Sequence, residues 1–266
     1  MAAEAAVIEN YRATAAEIRA RTLSYLDAAW HQVEIDLRDA TVDRFGAQAA
    51  VVTDAAQYRI AVATDVYLAQ TQTLATGTPT APVGLAPETT STESLRGVSS
   101  ETVWARPGQT VWSELARHAT VSRALAQGRN RTHELADTDL QLAHTHAAQE
   151  VLKRRGLEWF QRVPRGGRSC ELCLLASTQR YHVGDLMPIH THCHCAVAGI
   201  AGRTDPGHVI PADQQDAVSA VIEAATGSAD LTAEAYRRYV VVHEHGEIGP
   251  VLAVRGQSFA GPSALP

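Results

Sequence analysis

The four cysteines of this 266-residue chain are the residues best suited to chemistry, because all four lie in one short region. Cys170 and Cys173 are separated by two residues, a spacing that lets two thiolates grip one metal ion. The same region also holds His190, Cys193 and Cys195. Five candidate ligands therefore compete for four tetrahedral positions. Cys170 and Cys173 form one half of the set, and the spacing leaves open whether His190 or Cys193 joins Cys195 in the other half.

A zinc ion with four protein ligands has no open position for water, so this site would be structural rather than catalytic. Zinc binding of this kind contributes roughly 10 kcal/mol or more to the folding of small modules. Thiolate and imidazole donors without an iron–sulfur cluster signature favour zinc over iron. The alternative, four thiols without a metal, fits poorly with the grouping of all the cysteines into two close pairs. We therefore expect one structural zinc ion in a small knuckle.

Enzymatic alternatives find less support in the sequence. A zinc protease needs His-Glu-x-x-His on a helix, and the segment from His243 to Glu247 has a different spacing. A nucleobase deaminase needs Pro-Cys-x-x-Cys, whereas Ser169 precedes Cys170. A cysteine nucleophile with His190 or His194 as its base stays open, although two neighbouring cysteine pairs are more typical of a metal site. We expect no enzymatic activity and name no catalytic residue.

Charge and composition exclude several classes of protein. The chain has 23 Lys and Arg against 29 Asp and Glu, a formal charge of −6, which argues against non-specific coating of nucleic acid. Residues 1–10 lack the basic and apolar regions of a secretory signal. No apolar run approaches the roughly 20 residues that span a bilayer. We expect a soluble protein made in a reducing compartment, where clustered cysteines indicate metal rather than disulfides.

The first 75 residues show helical periodicity in two stretches. From Ile8 to Leu37 apolar residues recur every three or four positions, which predicts one long amphipathic helix. Gly46 suits a chain reversal. A second stripe follows, formed by Val51, Ala55, Tyr58, Val62, Val66 and Ala69. We predict an antiparallel helical hairpin over residues 1–75, either a core element or an arm that docks onto a larger assembly.

Residues 76–100 are rich in Thr, Ser, Pro and Gly, and Pro79, Pro82 and Pro87 oppose both helix and central strand. We predict a linker or long loop here. Residues 101–266 then form a third region. It contains a helical stripe that ends near Gly128 and a further helix that ends at Gly156.

The remaining elements of the third region follow the cysteines. Helical patterns run from Asp213 to Ala225 and onward from Thr232. Two runs rich in valine, Tyr239 to His243 and Val251 to Val254, predict a β-hairpin. The expected fold class is mainly α (α+β): a long helical hairpin, further helices, a zinc knuckle at residues 165–200 and a short C-terminal β-hairpin.

A run of basic residues leads into the cysteines. We predict that it is a solvated face, and its alternative is a phosphate-contacting surface of a DNA-binding zinc module. The residues concerned are Lys153, Arg154, Arg155, Arg162, Arg165 and Arg168.

The region around the cysteines contains four stretches that form a pattern: Val163 to Ser177, Tyr181, Gly184 to His190, and Cys193-His-Cys195. In this pattern the chain resembles the Mu F-like minor head proteins of tailed phages. The resemblance covers about residues 160–200. One departure is Gly199, where related sequences tend to have proline. The tail from His245 to Leu252 resembles the carboxy-terminal segment of such proteins in actinobacterial phages.

The resemblance implies a protein of the phage head, made in the host cytoplasm and needed in few copies. The implied function is that of a non-enzymatic minor capsid protein that associates with the portal during head morphogenesis or DNA packaging. The implied partners are the portal protein and other head or scaffold proteins, with packaged DNA as a further candidate and no membrane. Some relatives carry the description capsid maturation protease, which makes proteolysis the main alternative. The sequence supplies neither a Ser-His-Asp set nor a metalloprotease motif for it.

Overall fold

The computed structural model describes residues 2–34, 38–164, 171–188, 195–201, 220, 223–224, 227, 238–246 and 249–257. Helices dominate these ranges, which confirms the predicted fold class. The helices are α1 (Ala2–Trp30), α2 (Arg38–Thr76), α3 (Thr92–Arg96), α4 (Ser100–Ala116), α5 (Val121–Arg154) and α6 (Glu171–Ser177). The strands are β1 (Trp159–Val163), β2 (Arg180–His182), β3 (Ala196–Ile200), β4 (Val240–His245) and β5 (Gly249–Val254). No helix in these ranges is both long and apolar enough to cross a bilayer.

The chain divides into two compact units. The first comprises residues 1–12, 64–83 and 147–265, and the second comprises residues 13–63, 84–146 and 266. Helices α1, α2 and α5 therefore each contribute residues to both units. The domain boundaries predicted from composition, 1–75, 76–100 and 101–266, stay a prediction.

Helices α1 and α2 form the predicted helical hairpin. In the first unit, Tyr11 near the start of α1 contacts Thr64 in the second half of α2, with 3.1 Å between their hydroxyl oxygens. In the second unit, the Trp30 ring at the end of α1 meets the Phe45 ring early in α2 at 4.9 Å between centroids. Later residues of α1 thus meet earlier residues of α2, so the two helices are antiparallel.

The chain reversal of this hairpin does not occur at Gly46, where the sequence predicted it. Helix α1 ends at Trp30 and α2 begins at Arg38, so Gly46 lies inside α2. The Thr41 hydroxyl exchanges two hydrogen bonds of 3.2 Å with the Glu34 backbone and ties the connection to the first turn of α2. Gly46 is buried, and burial of its neighbour Phe45 offsets the propensity cost of an internal glycine, about 1 kcal/mol.

Gly128 was also predicted to end a helix, and it too lies inside one. The chain breaks instead at residues 117–120, where His118 has a φ of 63°. A Cβ on Gly128 would lie 2.7 Å from both Trp30 Cη2 and Val111 Cγ2. The Trp30 Nε1–H donates to the Leu125 carbonyl over 3.2 Å. Gly128 therefore marks a close approach of the Trp30 ring to α5 rather than a helix end.

Residues 76–100 contain more regular structure than a linker. A 3₁₀ turn spans Pro87–Thr89, and α3 follows it. The Ser91 side chain caps α3 by accepting from the Ser94 N–H at 3.2 Å. Gly97 ends α3 in the left-handed conformation, with a φ of 69°. Residues 79–86 form neither helix nor strand, as their prolines predict.

A buried polar network connects α2, α3 and α5 within the second unit. The Asp139 carboxylate is fully buried and pairs with Arg96, whose side chain is 3% exposed. The Thr92 hydroxyl donates to Asp139 over 2.9 Å, and the Thr92 N–H donates to Asp54 over 2.9 Å. The Gln57 amide donates to the Asp139 carbonyl over 3.4 Å. Because buried charges require partners, these contacts determine how α3 packs.

The first unit contains both sheets. Strand β1 lies between β2 and β3, and both pairings are antiparallel. Strands β4 and β5 pair with Val240 opposite Val254 and His245 opposite Gly249, which confirms the predicted C-terminal hairpin. Gly156, with a φ of 66°, ends α5 as predicted. The sequence patterns after residue 201, from Asp213 to Ala225 and from Thr232, lie almost wholly outside the described residues.

Asp27 of α1 accepts hydrogen bonds from two residues of α5 in the second unit. Arg129 donates to both carboxylate oxygens, at 2.7 and 2.6 Å, and His133 Nε2 lies 2.7 Å from Oδ1. The Arg129 bonds, with a smaller contribution from His133, lower the pKa of Asp27 to about 2. Because the folded state holds this proton less tightly than the unfolded state, the pair stabilises the fold above about pH 4.

We predict that Asp27→Asn lowers the free energy of unfolding by about 1 kcal/mol at pH 7, a value reduced for the partial exposure of Arg129. The loss should shrink as the pH falls from about 4 toward 2, because the unchanged protein then protonates Asp27 as well. Urea unfolding across this pH range measures the difference. A difference that does not change with pH would contradict the assignment.

The two internal glycines form a matched pair of tests. Gly128→Ala should destabilise the protein by about 1–3 kcal/mol, because its methyl group overlaps the Trp30 ring. Gly46→Ala should be neutral or stabilising by up to about 1 kcal/mol, because its nearest new neighbour, the Trp104 carbonyl oxygen, lies at an ordinary 3.6 Å. Thermal unfolding of both variants checks this. Equal losses in both would refute the packing role of Gly128.

Candidate metal centre

Two of the five predicted zinc ligands lie within the described residues, and both are buried. Cys173 lies in α6 with 3% of its surface exposed, and Cys195 directly precedes β3 with 7% exposed. They belong to the same apolar cluster in the first unit, although they are 22 positions apart in the sequence. The other buried members of this cluster are Leu172, Leu174, Leu175, Ala176, Val240 and Leu252.

Cys170, His190 and Cys193, the other three predicted ligands, lie outside the described residues. Within the described ranges no group of three or more His, Cys, Asp or Glu side chains could hold a metal ion. The predicted ligand set therefore stays a prediction.

The three-stranded sheet positions Cys195. Val163, the last residue of β1, is opposite Ala196, the first residue of β3. The antiparallel register therefore places Cys195 at the end of the sheet where β1 finishes and the chain continues toward Cys170.

Helix α6 is held against the sheet by an aromatic contact. The Tyr181 ring of β2 stacks on the Phe160 ring of β1, with 5.2 Å between centroids and 24° between planes. The Tyr181 hydroxyl donates to the Ala176 carbonyl of α6 over 2.9 Å. Tyr181 was part of the family resemblance, and these contacts give it a structural role: it orients the helix that contains Cys173.

Arg162 was predicted to lie on a solvated basic face, and this prediction is wrong. Arg162 is 6% exposed, and its guanidinium carbon lies 5.9 Å from the centroids of both Phe160 and Tyr181. Its Nη2 donates to the Met187 carbonyl. A cation in contact with two aromatic rings and a carbonyl belongs to the packed interior of the first unit.

Arg155 is also withdrawn from the predicted basic face. Its side chain is 6% exposed and lies 3.4 Å from the Asp65 carboxylate, whose side chain is 4% exposed. Burial lowers the pKa of Arg155, and the Asp65 charge opposes this effect. Lys153 and Arg154 are exposed, and Arg154 pairs with Glu150 at 2.7 Å. Arg165 and Arg168 lie outside the described residues.

The C-terminal hairpin completes the surroundings of the two cysteines. Val240 of β4 and Leu252 of β5 belong to the same cluster as Cys173 and Cys195. The Leu252 N–H donates to the Pro188 carbonyl over 3.2 Å, which connects β5 to the chain just before His190. His243 and His245 lie on strand β4, where they cannot form the helical His-Glu-x-x-His motif of a zinc protease.

Gly199, the departure from the family pattern, is explained by close packing. A Cβ at this position of β3 would lie 2.6 Å from Leu152 Cδ2 and 2.7 Å from Leu157 Cδ1. The leucines at the end of α5 thus fill the space over the strand. A larger residue at this position would force them away.

Arg12 also contacts the end of β1, which the sequence did not predict. It extends from α1 to the end of β1, where its Nη2 donates to the Val163 carbonyl over 3.2 Å and to the Pro164 carbonyl over 2.7 Å. Its side chain is 13% exposed. Helical periodicity assigns Arg12 only to the face next to Tyr11, and no sequence signal connects it to a strand 151 residues later.

The chemistry of this arrangement favours a structural ion over a nucleophile. Apolar burial disfavours the thiolate form of a cysteine unless a metal or a cation compensates. A nucleophile must reach its substrate, whereas Cys173 and Cys195 are both buried. Both thiols belong to one buried apolar cluster, and thiols are donors that a structural zinc ion uses.

Comparison with known proteins yields one match. A family model described as VG15 protein matches residues 2–218. This range contains all six described helices, strands β1 to β3 and all four cysteines. No curated protein and no solved structure matches the chain.

Proposed function

The chain belongs to the VG15 protein family, a family of phage proteins, and from this premise we propose that it is a minor capsid protein of the Mu F-like type. In this proposal it has no enzymatic activity, resides in the phage head, and associates with the portal protein during head assembly or DNA packaging. A structural zinc ion stabilises it. The observation that carries the proposal is the family match over residues 2–218, which includes the region of the Mu F-like resemblance.

The zinc site in this proposal uses Cys173, Cys195 and two of Cys170, His190 and Cys193. Cys170 immediately precedes α6, and Cys193 lies two residues before Cys195. Both are therefore connected by very short stretches of chain to buried thiols of one cluster. Bound there, the ion would contribute folding energy and supply no chemistry to a substrate.

The portal-binding surface in this proposal is the outward face of α2. Val51 is 71% exposed and Val62 is 39% exposed, and Ala55 between them is also exposed. These residues belong to the apolar stripe of a hairpin for which the sequence left open a core role or a docking role. The structure buries the other side of α2 instead, where Thr53 and Gln57 are polar but fully buried. Hydrophobic periodicity considers apolar residues only, so it does not predict that polar residues such as these are buried.

This outward face has the character of a docking helix. The exposed residues of α2 from Ala47 to Leu74 include a single charged side chain, Arg59. An outward face in contact with water is normally polar. Apolar residues at positions 51, 55, 58 and 62 have the i, i+4, i+7, i+11 spacing of a helix that lies in a hydrophobic groove. A face with one charge suits a protein groove and not a phosphate backbone.

The DNA-binding alternative requires an exposed basic surface. Two of the arginines that would form it, Arg155 and Arg162, are buried within the first unit. The proteolytic alternative predicts cleavage of a capsid protein that depends on Cys170. The zinc experiment below separates the proteolytic alternative from the main proposal, and DNA binding with a steep salt dependence would support the DNA-binding alternative.

Elemental analysis of the purified, reduced protein should find one zinc per chain. Cys173→Ser and Cys170→Ser should each lower the zinc content and the melting temperature, because a lost ligand removes part of the binding energy that supports folding. Zinc-free protein with an unchanged melting temperature would refute the structural site. If Cys170 were instead a nucleophile, Cys170→Ser would fold normally and abolish cleavage of the capsid protein.

Binding to the recombinant portal protein of the same phage tests the docking face. Val51→Asp and Val62→Asp should each weaken binding tenfold or more, the equivalent of about 1.4 kcal/mol, because each places a charge in an apolar contact. Val121→Asp is the matched control, since Val121 is 48% exposed and begins α5, where a carboxylate is tolerated. Isothermal titration calorimetry measures all three. Absence of binding by the unchanged protein would refute the portal association.

A further inference from the structure

The segment of residues 85–96, which we call the strap, lies between two glycines of the second unit. Gly84 has a φ of 74° and Gly97 a φ of 69°, in the left-handed region that glycine adopts readily. A Cβ on either glycine would meet no atom of the described residues within 4 Å. At both ends of the strap the backbone can therefore rotate with little steric resistance.

The strap is held together by hydrogen bonds of its own. In the 3₁₀ turn the Thr90 N–H donates to the Pro87 carbonyl over 3.1 Å. The Ser94 hydroxyl of α3 donates to the Thr89 carbonyl over 3.2 Å, which connects the helix to this turn. Because these bonds join residues within the strap, they persist if the strap moves as one body.

Polar side chains attach the strap to the helices beneath it. The Thr92 N–H donates to the Asp54 carboxylate of α2 over 2.9 Å. Arg96 pairs with Asp139 of α5, and the two side chains are 3% and 0% exposed. A buried ion pair adds little net stability, because both charges lose their hydration when the protein folds. If the strap opens, both charges become hydrated again, and this offsets much of the lost attraction.

The apolar contribution of the strap is small. Its large apolar side chains are Leu85, which is 6% exposed, and Leu95, which is partly buried. Segments with few buried apolar contacts open locally at a lower free energy than the core. Leu95 packs against a buried cluster in the same unit, formed by Ile18, Ala56, Ile60, Leu140 and Ala143. The strap therefore covers part of an apolar surface.

We infer that the strap opens as a unit by rotation at Gly84 and Gly97, while the helices beneath it stay folded. Opening removes Leu95 from the apolar cluster and exposes that part of the surface to water. The strap is thus an autoinhibitory cover built into the second unit. The inference depends on neither the zinc site nor the portal of the proposed function.

Hydrogen exchange of the full-length protein, measured amide by amide, tests this opening. The amides of Thr92 and Leu95 should have protection factors about 100-fold lower than those of Leu135 and Ala136, which are buried in α5. Low concentrations of urea should accelerate exchange in α5 but not in the strap, because strap opening exposes far less surface than unfolding. Equal protection and equal urea dependence in both sets would overturn the inference.

Three variants separate opening of the strap from unfolding of the unit. Gly97→Ala should lower the protection of the Thr92 amide about tenfold, because the left-handed conformation disfavours alanine by about that factor. Leu95→Ala should also lower it, because the closed strap then loses its contact with the cluster. Gly128→Ala is the control: it overlaps the Trp30 ring, so it should lower protection in α5 and leave the strap unchanged.

Each variant also has a result that contradicts the inference. Equal losses of protection in the strap and α5 of Gly128→Ala would show that the strap opens only when the unit unfolds. Unchanged protection of Thr92 in Leu95→Ala would show that the cluster stays covered, and unchanged protection in Gly97→Ala would rule out rotation at that glycine. If Gly128→Ala fails to fold, the urea series on the unchanged protein decides.

Discussion

The buried carboxylate of Asp139 is the interaction on which the packing of α3 in the second unit depends. A charge in the interior must be paired and hydrogen-bonded, and removal of one partner of such a pair typically costs 3–5 kcal/mol. Arg96 and Thr92 of α3 meet this requirement, and Gln57 of α2 donates to the backbone carbonyl of Asp139. The short helix α3 is therefore held by a polar requirement. For this reason a segment with the composition of a linker packs against two long helices.

Helical periodicity predicted the mainly helical fold class and the hairpin of α1 and α2, and β-branched runs predicted the C-terminal strands, because each of these signals is local. The helix ends were harder to predict. Gly46 and Gly128 have the sequence signature of helix ends, yet both lie inside helices. At Gly128 the reason is the close packing of Trp30, which lies far away in the sequence and belongs to the same core cluster as Phe45. The sequence left open whether the apolar stripe of α2 is core or a docking surface, for a related reason. Thr53 and Gln57 are buried, and the partners of Gln57 are 35 and 82 residues away.

In the candidate site too, the features that depend on neighbouring residues could be predicted from the sequence, and the contacts between distant residues could not. The Cys-x-x-Cys spacing is local, so the thiols stand out in the sequence. The contacts that surround them are distant: Tyr181 reaches α6, Arg162 reaches Met187, and Leu252 reaches Pro188. Arg155 and Arg162 resemble their exposed neighbours in type, and only the positions of Asp65, Phe160 and Tyr181 distinguish them. The number of basic residues in the run before the cysteines therefore overestimates how many basic side chains are exposed there.

The bond between Arg12 and the end of β1 also bears on the order in which the protein can fold during synthesis. Its two partners are separated by 151 residues. At about 5–20 residues per second, the ribosome needs roughly 8–30 s to make the second partner after the first. The N-terminal end of α1 therefore leaves the ribosome long before its acceptors exist. The first unit can therefore join α1 to β1 only late in translation or after it, whereas Tyr11 can meet Thr64 of α2 much earlier.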